Sequence, residues 1–145
     1  MNQLDLTRFG DTLNVYKDSD RLRLLIEHFP GGVVFENSHG IVEIVNDTFT
    51  DLLGVDGESD ALIGTHSRDV TEQVAPSFEH PVAYVEEVRG CIEAGDPVLG
   101  RTLHLQNGTV LERDFVPVAA PTDDQISGYL WIYQDVTEWH RSTQR

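Results

Sequence analysis

Gly40-Ile-Val-Glu-Ile-Val-Asn46-Asp-Thr-Phe49-Thr-Asp-Leu-Leu53-Gly54 is the stretch that decides the fold. Ile41 to Val45 is a short β-rich run. Asn46 follows it as an N-cap, a side chain that can accept from the free N–H groups at a helix start. Phe49, Leu52 and Leu53 then line one face of a short helix, and Gly54 fits the left-handed position past its end. Just upstream, Val33-Val-Phe35 is a second β-rich run, and Asn37-Ser-His-Gly40 between the two is turn chemistry. The stretch therefore reads as hairpin, cap, helix.

Toward the N-terminus, Leu22, Leu25, Ile26 and Phe29 recur at i, i+3, i+4 and i+7, one helical face. Asp18 to Asp20 supply N-cap candidates, and Pro30-Gly31-Gly32 stops this helix. Residues 1–17 form a polar flanking segment. Toward the C-terminus, residues 55–80 are loop-rich, with room for short helical turns. Pro81 suits the first position of a helix in which Val82, Val85, Val88 and Ile92 share a face, and Gly95 ends it. Three strands follow: Leu99 to Gln106, Thr109 to Val118 and Ile126 to Gln134. Asn107-Gly108 marks the turn between the first two. A parallel sheet needs a crossover after each strand, and only one is present. The order predicts an α+β domain over 18–138, a five-stranded antiparallel sheet with helices on one face and an N-terminal flanking helix. Residues 139–145 read as the start of a C-terminal linker.

The chain has 145 residues, 39% of them hydrophobic, enough for one domain with a core. Its net charge is -15, from 25 acids against 10 bases. Such a field repels phosphate backbones and anionic headgroups, so no direct nucleic-acid binding is expected. No apolar run approaches the ~18 residues that span a bilayer, and no basic region precedes an apolar one at the N-terminus. The expectation is a cytoplasmic chain without membrane insertion. One cysteine, Cys91, leaves no intramolecular disulfide and no cysteine-based zinc site.

The opening stretch resembles the first half of a PAS domain, where a glycine turn leads to a strand, an Asn and a short helix ending in Leu-Gly. Gly128-Tyr-Leu-Trp131-Ile-Tyr-Gln-Asp135-Val-Thr137-Glu138 resembles the family's closing strand and Asp-Ile-Thr exit, with Val136 for Ile. Leu103 to Phe115 resembles its central hairpin. The match covers about residues 18–140. The resemblance implies a sheet curved around a cavity that binds a small molecule, or none. It implies a homodimer whose flanking helices pass a signal to an effector domain or partner, such as a histidine kinase of a two-component system, a cyclase or a transcription factor. A ligand-free dimerisation adaptor is the alternative. Asp135 and Thr137 form the signal exit, and Leu22, Leu25, Ile26 and Phe29 are candidates for a dimer helix.

Strand alternation and the resemblance together select Phe35, Phe49, Val85, Leu105, Phe115 and Trp131 as cavity-lining candidates, with plain core packing as the other reading. Arg101 or Arg113 near the cavity mouth could pair with a ligand carboxylate. Arg113 could equally pair with an acid across the sheet. Cys91 lies in Arg-Gly-Cys-Ile-Glu, outside the Asn-Cys-Arg-Phe motif of flavin-binding relatives, so it reads as a small core-side residue and not as a flavin-adduct cysteine. Among the six histidines, His80 at the start of the long helix is the nearest to a haem ligand, against a plain surface role. No nucleophile elbow, phosphate loop or paired metal ligands occur, so a non-catalytic module without a metal site is expected.

If the Asn107-Gly108 turn holds positive backbone angles, Gly108→Val destabilises the protein by about 1 kcal/mol or more, read from urea unfolding.

Overall fold

The computed structural model describes residues 24–121 and 125–143. Residues 24–28 are the described part of the N-terminal helix; Leu22 and the 1–17 segment lie outside the described residues. Strands β1 (Gly32–Asn37) and β2 (Val42–Val45) form the first hairpin. Helix α1 (Asp47–Leu53), a 3-10 turn (Ser59–Leu62), α2 (Ser67–Val74), a second 3-10 turn (Ala75–Ser77) and α3 (Pro81–Ala94) follow. Strands β3 (Val98–His104), β4 (Val110–Ala119) and β5 (Ile126–Asp135) complete the sheet, and α4 (Thr137–Thr143) leaves it. The five strands are ordered β2-β1-β5-β4-β3, and every pair is antiparallel.

Asn46 organises the entrance to this sheet. Its Oδ1 accepts from Val33 N at 2.9 Å and from Phe49 N at 3.1 Å. Its Nδ2 donates to Ile26 O at 2.8 Å and to Gly31 O at 2.9 Å. One amide thus ties the N-terminal helix, β1 and α1 together, at 1% exposure. Gly32 lets α1 lie directly on β1, because a Cβ there would come within 2.8 Å of Phe49 Cα. Phe49 and Leu53 are buried, Leu52 packs partly against the core, and Gly54 closes the helix at φ 70°.

Both hairpins turn through three residues and finish on a glycine at positive φ, Gly40 (82°) and Gly108 (94°). Asn37 N donates to Ile41 O at 2.9 Å, and Leu105 N to Thr109 O at 2.9 Å. The second connection is therefore Gln106-Asn107-Gly108, one residue longer than the sequence predicts, because the last strand pair bonds at Leu105 and Thr109. In β3 a register shift between Val98 and Arg101 accommodates Gly100 at φ 70°.

The core lies between the inner sheet face and helices α1 to α3. Leu111, Arg113 and Phe115 alternate inward on β4, and Trp131 and Tyr133 on β5. On α3 the buried face is Tyr84, Val88 and Cys91. Val82, predicted on that face, is 71% exposed; the helix is rotated so that Tyr84 stacks on Phe78 with ring centroids 3.8 Å apart. Residues 67–74, expected as loop with short turns, form a full helix because His66 Nδ1 caps Arg68 N at 3.0 Å. No helix among the described residues is long and apolar enough to cross a membrane.

Replacing Asn46 with Ala orphans buried donors and acceptors in three segments at once. The expected loss is about 2–4 kcal/mol in chemical denaturation, with an unchanged denaturant slope.

Candidate functional site

The interior is filled. Phe49, Leu105, Phe115 and Trp131 are all buried and pack against one another's neighbours, with the Phe115 and Trp131 rings 4.5 Å apart. Beneath α2 and α3 remains a void of about 20 Å³, bounded by Val88, Trp131, Tyr84 and Tyr133 among others. That is room for about one water molecule. The Tyr84 and Tyr133 hydroxyls hydrogen-bond each other at 2.9 Å beside it. Burial pushes the pKa of both phenols up, so they stay neutral.

Arg113 lies wholly inside the protein, not at a cavity mouth, because it takes an inward position on β4 between Leu111 and Phe115. Its Nη2 donates to Glu87 Oε2 at 2.6 Å, and its guanidinium sits 5.2 Å from the Trp131 ring centroid, a cation–π contact. Among the described residues, Arg113 Nε, Arg113 Nη1 and Glu87 Oε1 have no hydrogen-bond partner. Burial works against the charge on Arg113, but the Glu87 hydrogen bond and the charge interactions with Tyr133, Glu87 and Tyr84 together outweigh it and the guanidinium stays protonated. Burial also opposes the Glu87 charge, and Arg113 again wins, holding that carboxyl below its ordinary range. Arg101, the other cation considered for a ligand, reaches the same Glu87 at 4.0 Å from the surface.

A cleft of about 320 Å³ opens to solvent on the far side of the void's wall. Glu36, Ser67, Thr71 and Val88 line both spaces. Val85, Val88 and Ile92 of α3 form one wall and Tyr129 of β5 the other, with Arg68 and Arg89 also lining the cleft. The Gly40 turn brings the His66 ring close, since a Cβ at Gly40 would meet that ring at 2.7 Å. Glu36 is 3% exposed, and its Oε2 accepts from Trp131 Nε1 at 3.1 Å. Burial raises its pKa despite that hydrogen bond.

Of the candidate lining residues, only Val85 borders this cleft. Phe35 is turned to the opposite face of the sheet, in register with Ile44 and Leu130, because β1 buries Val34 and Glu36 on the inner side. Sequence reading passed over Glu36, since a charged residue in a β-rich run suggests the solvated side. Its alternation with Val34 was the available signal.

Neither haem nor a flavin adduct fits. His80 is exposed ahead of α3 and does not border the cleft, and a 20 Å³ void holds no macrocycle. Cys91 Sγ donates to Glu87 Oε2 at 3.3 Å, and burial pushes its thiol up to about 11. Among the described residues no group of three His, Cys, Asp or Glu could hold a metal ion.

At the other end of the molecule, Thr137 joins α4 to the sheet. Its Oγ1 accepts from Val110 N at 2.9 Å and donates to Asp135 Oδ1 at 2.5 Å. Asp135 Oδ1 also accepts from Thr137 N at 2.9 Å, and Val136 N donates to Val110 O at 2.9 Å. Leu25 of the N-terminal helix is 68% exposed, whereas Ile26 and Phe29 are half-buried, so the expected common face is split.

The chain resembles the PAS domain of BvgS from Bordetella pertussis, with a TM-score of 0.61 at 18% identity over 88% of this chain and 95% of that one. The fold is the PAS fold. A PAS domain of an HTR-like protein from Haloarcula marismortui aligns with a TM-score of 0.51 at 18% identity, covering 88% of this chain and 99% of that one. The sensor region of a sensor histidine kinase aligns with a TM-score of 0.57 at 19% identity, covering 90% of this chain and 53% of that one. No protein-family model matches the sequence. No curated protein matches it either. Within the PAS fold, then, this chain combines a filled interior with an open cleft beside it.

Arg113→Met is expected to cost about 3 kcal/mol, because it takes from Glu87 its buried hydrogen-bonded cation and leaves only the distant, exposed Arg101. The double variant Arg113→Met, Glu87→Leu recovers at least half of that loss. The pair's contribution is fully present above the unfolded carboxylate value of about 4.3 and disappears as pH falls through the lower folded value, so the wild-type advantage over Glu87→Gln shrinks below about pH 4 in thermal melts.

Proposed function

We propose that the chain is a cytoplasmic, non-catalytic sensory module that takes a small molecule in the cleft beside Glu36 and passes the signal through its flanking helices to an effector such as a histidine kinase. The observation that carries this reading is the double anchorage of Thr137. One hydroxyl bonds both the first residue of β4 and the Asp135 side chain at the last residue of β5. The exit helix α4 therefore starts from two central strands, and a change of angle between those strands turns the helix. Asp135 and Thr137 are the exit, and the likeness to a histidine kinase sensor region supports an effector of that kind. The exposed Leu24 and Leu25 on the N-terminal helix support a homodimer contact there.

A ligand-free dimerisation adaptor is the second reading, favoured by the 20 Å³ interior void. Native mass spectrometry of the purified chain separates the two. A copurifying small molecule supports the sensor, and a bare dimer with no ligand uptake supports the adaptor.

Joined to its effector, Asp135→Ala is expected to abolish signal-dependent output while shifting the thermal midpoint by only a few degrees. Unchanged output in that variant would remove the exit from the reading.

A further inference from the structure

The chemistry around the cleft narrows what it accepts. Five arginines fall among the described residues. Arg101 and Arg113 are held by Glu87, and Arg141 by Glu138 at 3.6 Å. Arg68 and Arg89 have no ion-pair partner among the described residues, and both line the cleft. In a chain of net charge -15 two guanidiniums without an ion-pair partner among the described residues stand at one opening, where Glu36 and Glu72 offset their charge. The two guanidiniums suit one carboxylate, which a guanidinium fork holds through paired hydrogen bonds. Glu72 lines the same cleft and weighs against a second anionic group.

At the inner end the demand is opposite. Glu36 gives one oxygen to Trp131 Nε1, and its carboxyl group keeps further lone pairs beyond that bond. A ligand N–H or O–H donor is the partner that these lone pairs suit. Between these ends the lining is apolar, aliphatic on one wall and aromatic on the other. Val85, Val88 and Ile92 face it from α3, and the opposite wall is Tyr129, whose ring lies within 15° of parallel to Phe115 at 5.7 Å. A planar body suits such a slot better than a branched aliphatic one.

We propose, resting on the sensory reading of this cleft, that its ligand is a small aromatic monoacid with an N–H or O–H donor, its carboxylate toward Arg68 and Arg89 and its donor toward Glu36. The cleft's 320 Å³ lies at the lower end of small-molecule sites, consistent with a one- or two-ring molecule.

Four probes separate the contributions: indole-3-acetate, 1-methylindole-3-acetate, indole and tryptamine, each titrated into the isotope-labelled chain and followed by amide chemical shifts. Indole-3-acetate is expected to shift the Ser67, Thr71, Val85 and Ile92 resonances saturably. Its Kd should be at least about tenfold lower than that of 1-methylindole-3-acetate, which lacks the donor, and of indole, which lacks the acid. The exposed-rim double variant Arg68→Gln, Arg89→Gln should erase the advantage over indole while leaving indole binding unchanged. Indole or tryptamine binding as tightly as indole-3-acetate overturns the ligand class and leaves the cleft reading standing. An N-methyl probe that binds equally well removes Glu36 from recognition and overturns the proposal. No shift at the cleft with any of the four probes overturns the cleft reading itself.

Discussion

The Asn46 side chain is the constraint on which the rest of the domain depends. An amide offers two donors and one acceptor with two lone pairs, and here all are used, two by backbone N–H groups and two by carbonyls. Three chain segments that would each leave an orphan polar group in the core are satisfied by a single residue. No other side chain of this size has both functions in that geometry: Asp lacks the donors and Leu lacks everything. With β1 and α1 fixed at a common point, Gly32 brings the helix down onto the sheet, and Phe49 reaches Tyr133 at a ring separation of 5.6 Å. The inner face of the sheet is defined from there.

That inner face holds a contradiction. Apolar packing has closed the interior almost completely, yet an arginine sits in the middle of it with two nitrogens unpartnered among the described residues. A buried ion pair of this kind is weak as a source of stability, because desolvation offsets most of the attraction. What it supplies is specificity of arrangement. Arg113 can be buried only where Glu87 and the Trp131 face meet it, which fixes the rotation of α3 against β4. Val82 leaves the core and Tyr84 enters for the same reason, since the turn of helix that presents Glu87 to Arg113 also presents Tyr84 to Phe78 and Tyr133.

The antiparallel sheet, the Asn46 cap, both glycine turns and the local hydrogen bonding of Asp135 and Thr137 were legible because each rests on local chemistry, a cap, a positive φ or an alternation within one strand. The site was less legible because it depends on which side chains meet across the fold. Phe35 and Trp131 both read as core candidates, but the register of β1 against β5 turns one outward and the other inward. Glu36 and Arg113 are charged, so composition alone assigns them to the surface. Their burial follows only from partners distant in sequence, Trp131 for one and Glu87 for the other. The length of the second hairpin loop was misjudged by one residue for a similar reason, since the Gln106 side chain docks on the Pro76 carbonyl at 2.9 Å across the fold.

The two tryptophans have unlike surroundings. Trp131 is 4% exposed, hydrogen-bonded to Glu36 at the wall between void and cleft and close to a guanidinium, whereas Trp139 is 63% exposed on α4. The molecule thereby carries its own pair of indole fluorophores in unlike media, one shielded from water in the core and one hydrated and open to quenchers on α4. Changes in the core and at α4 are readable as separate spectral components of the same unlabelled sample.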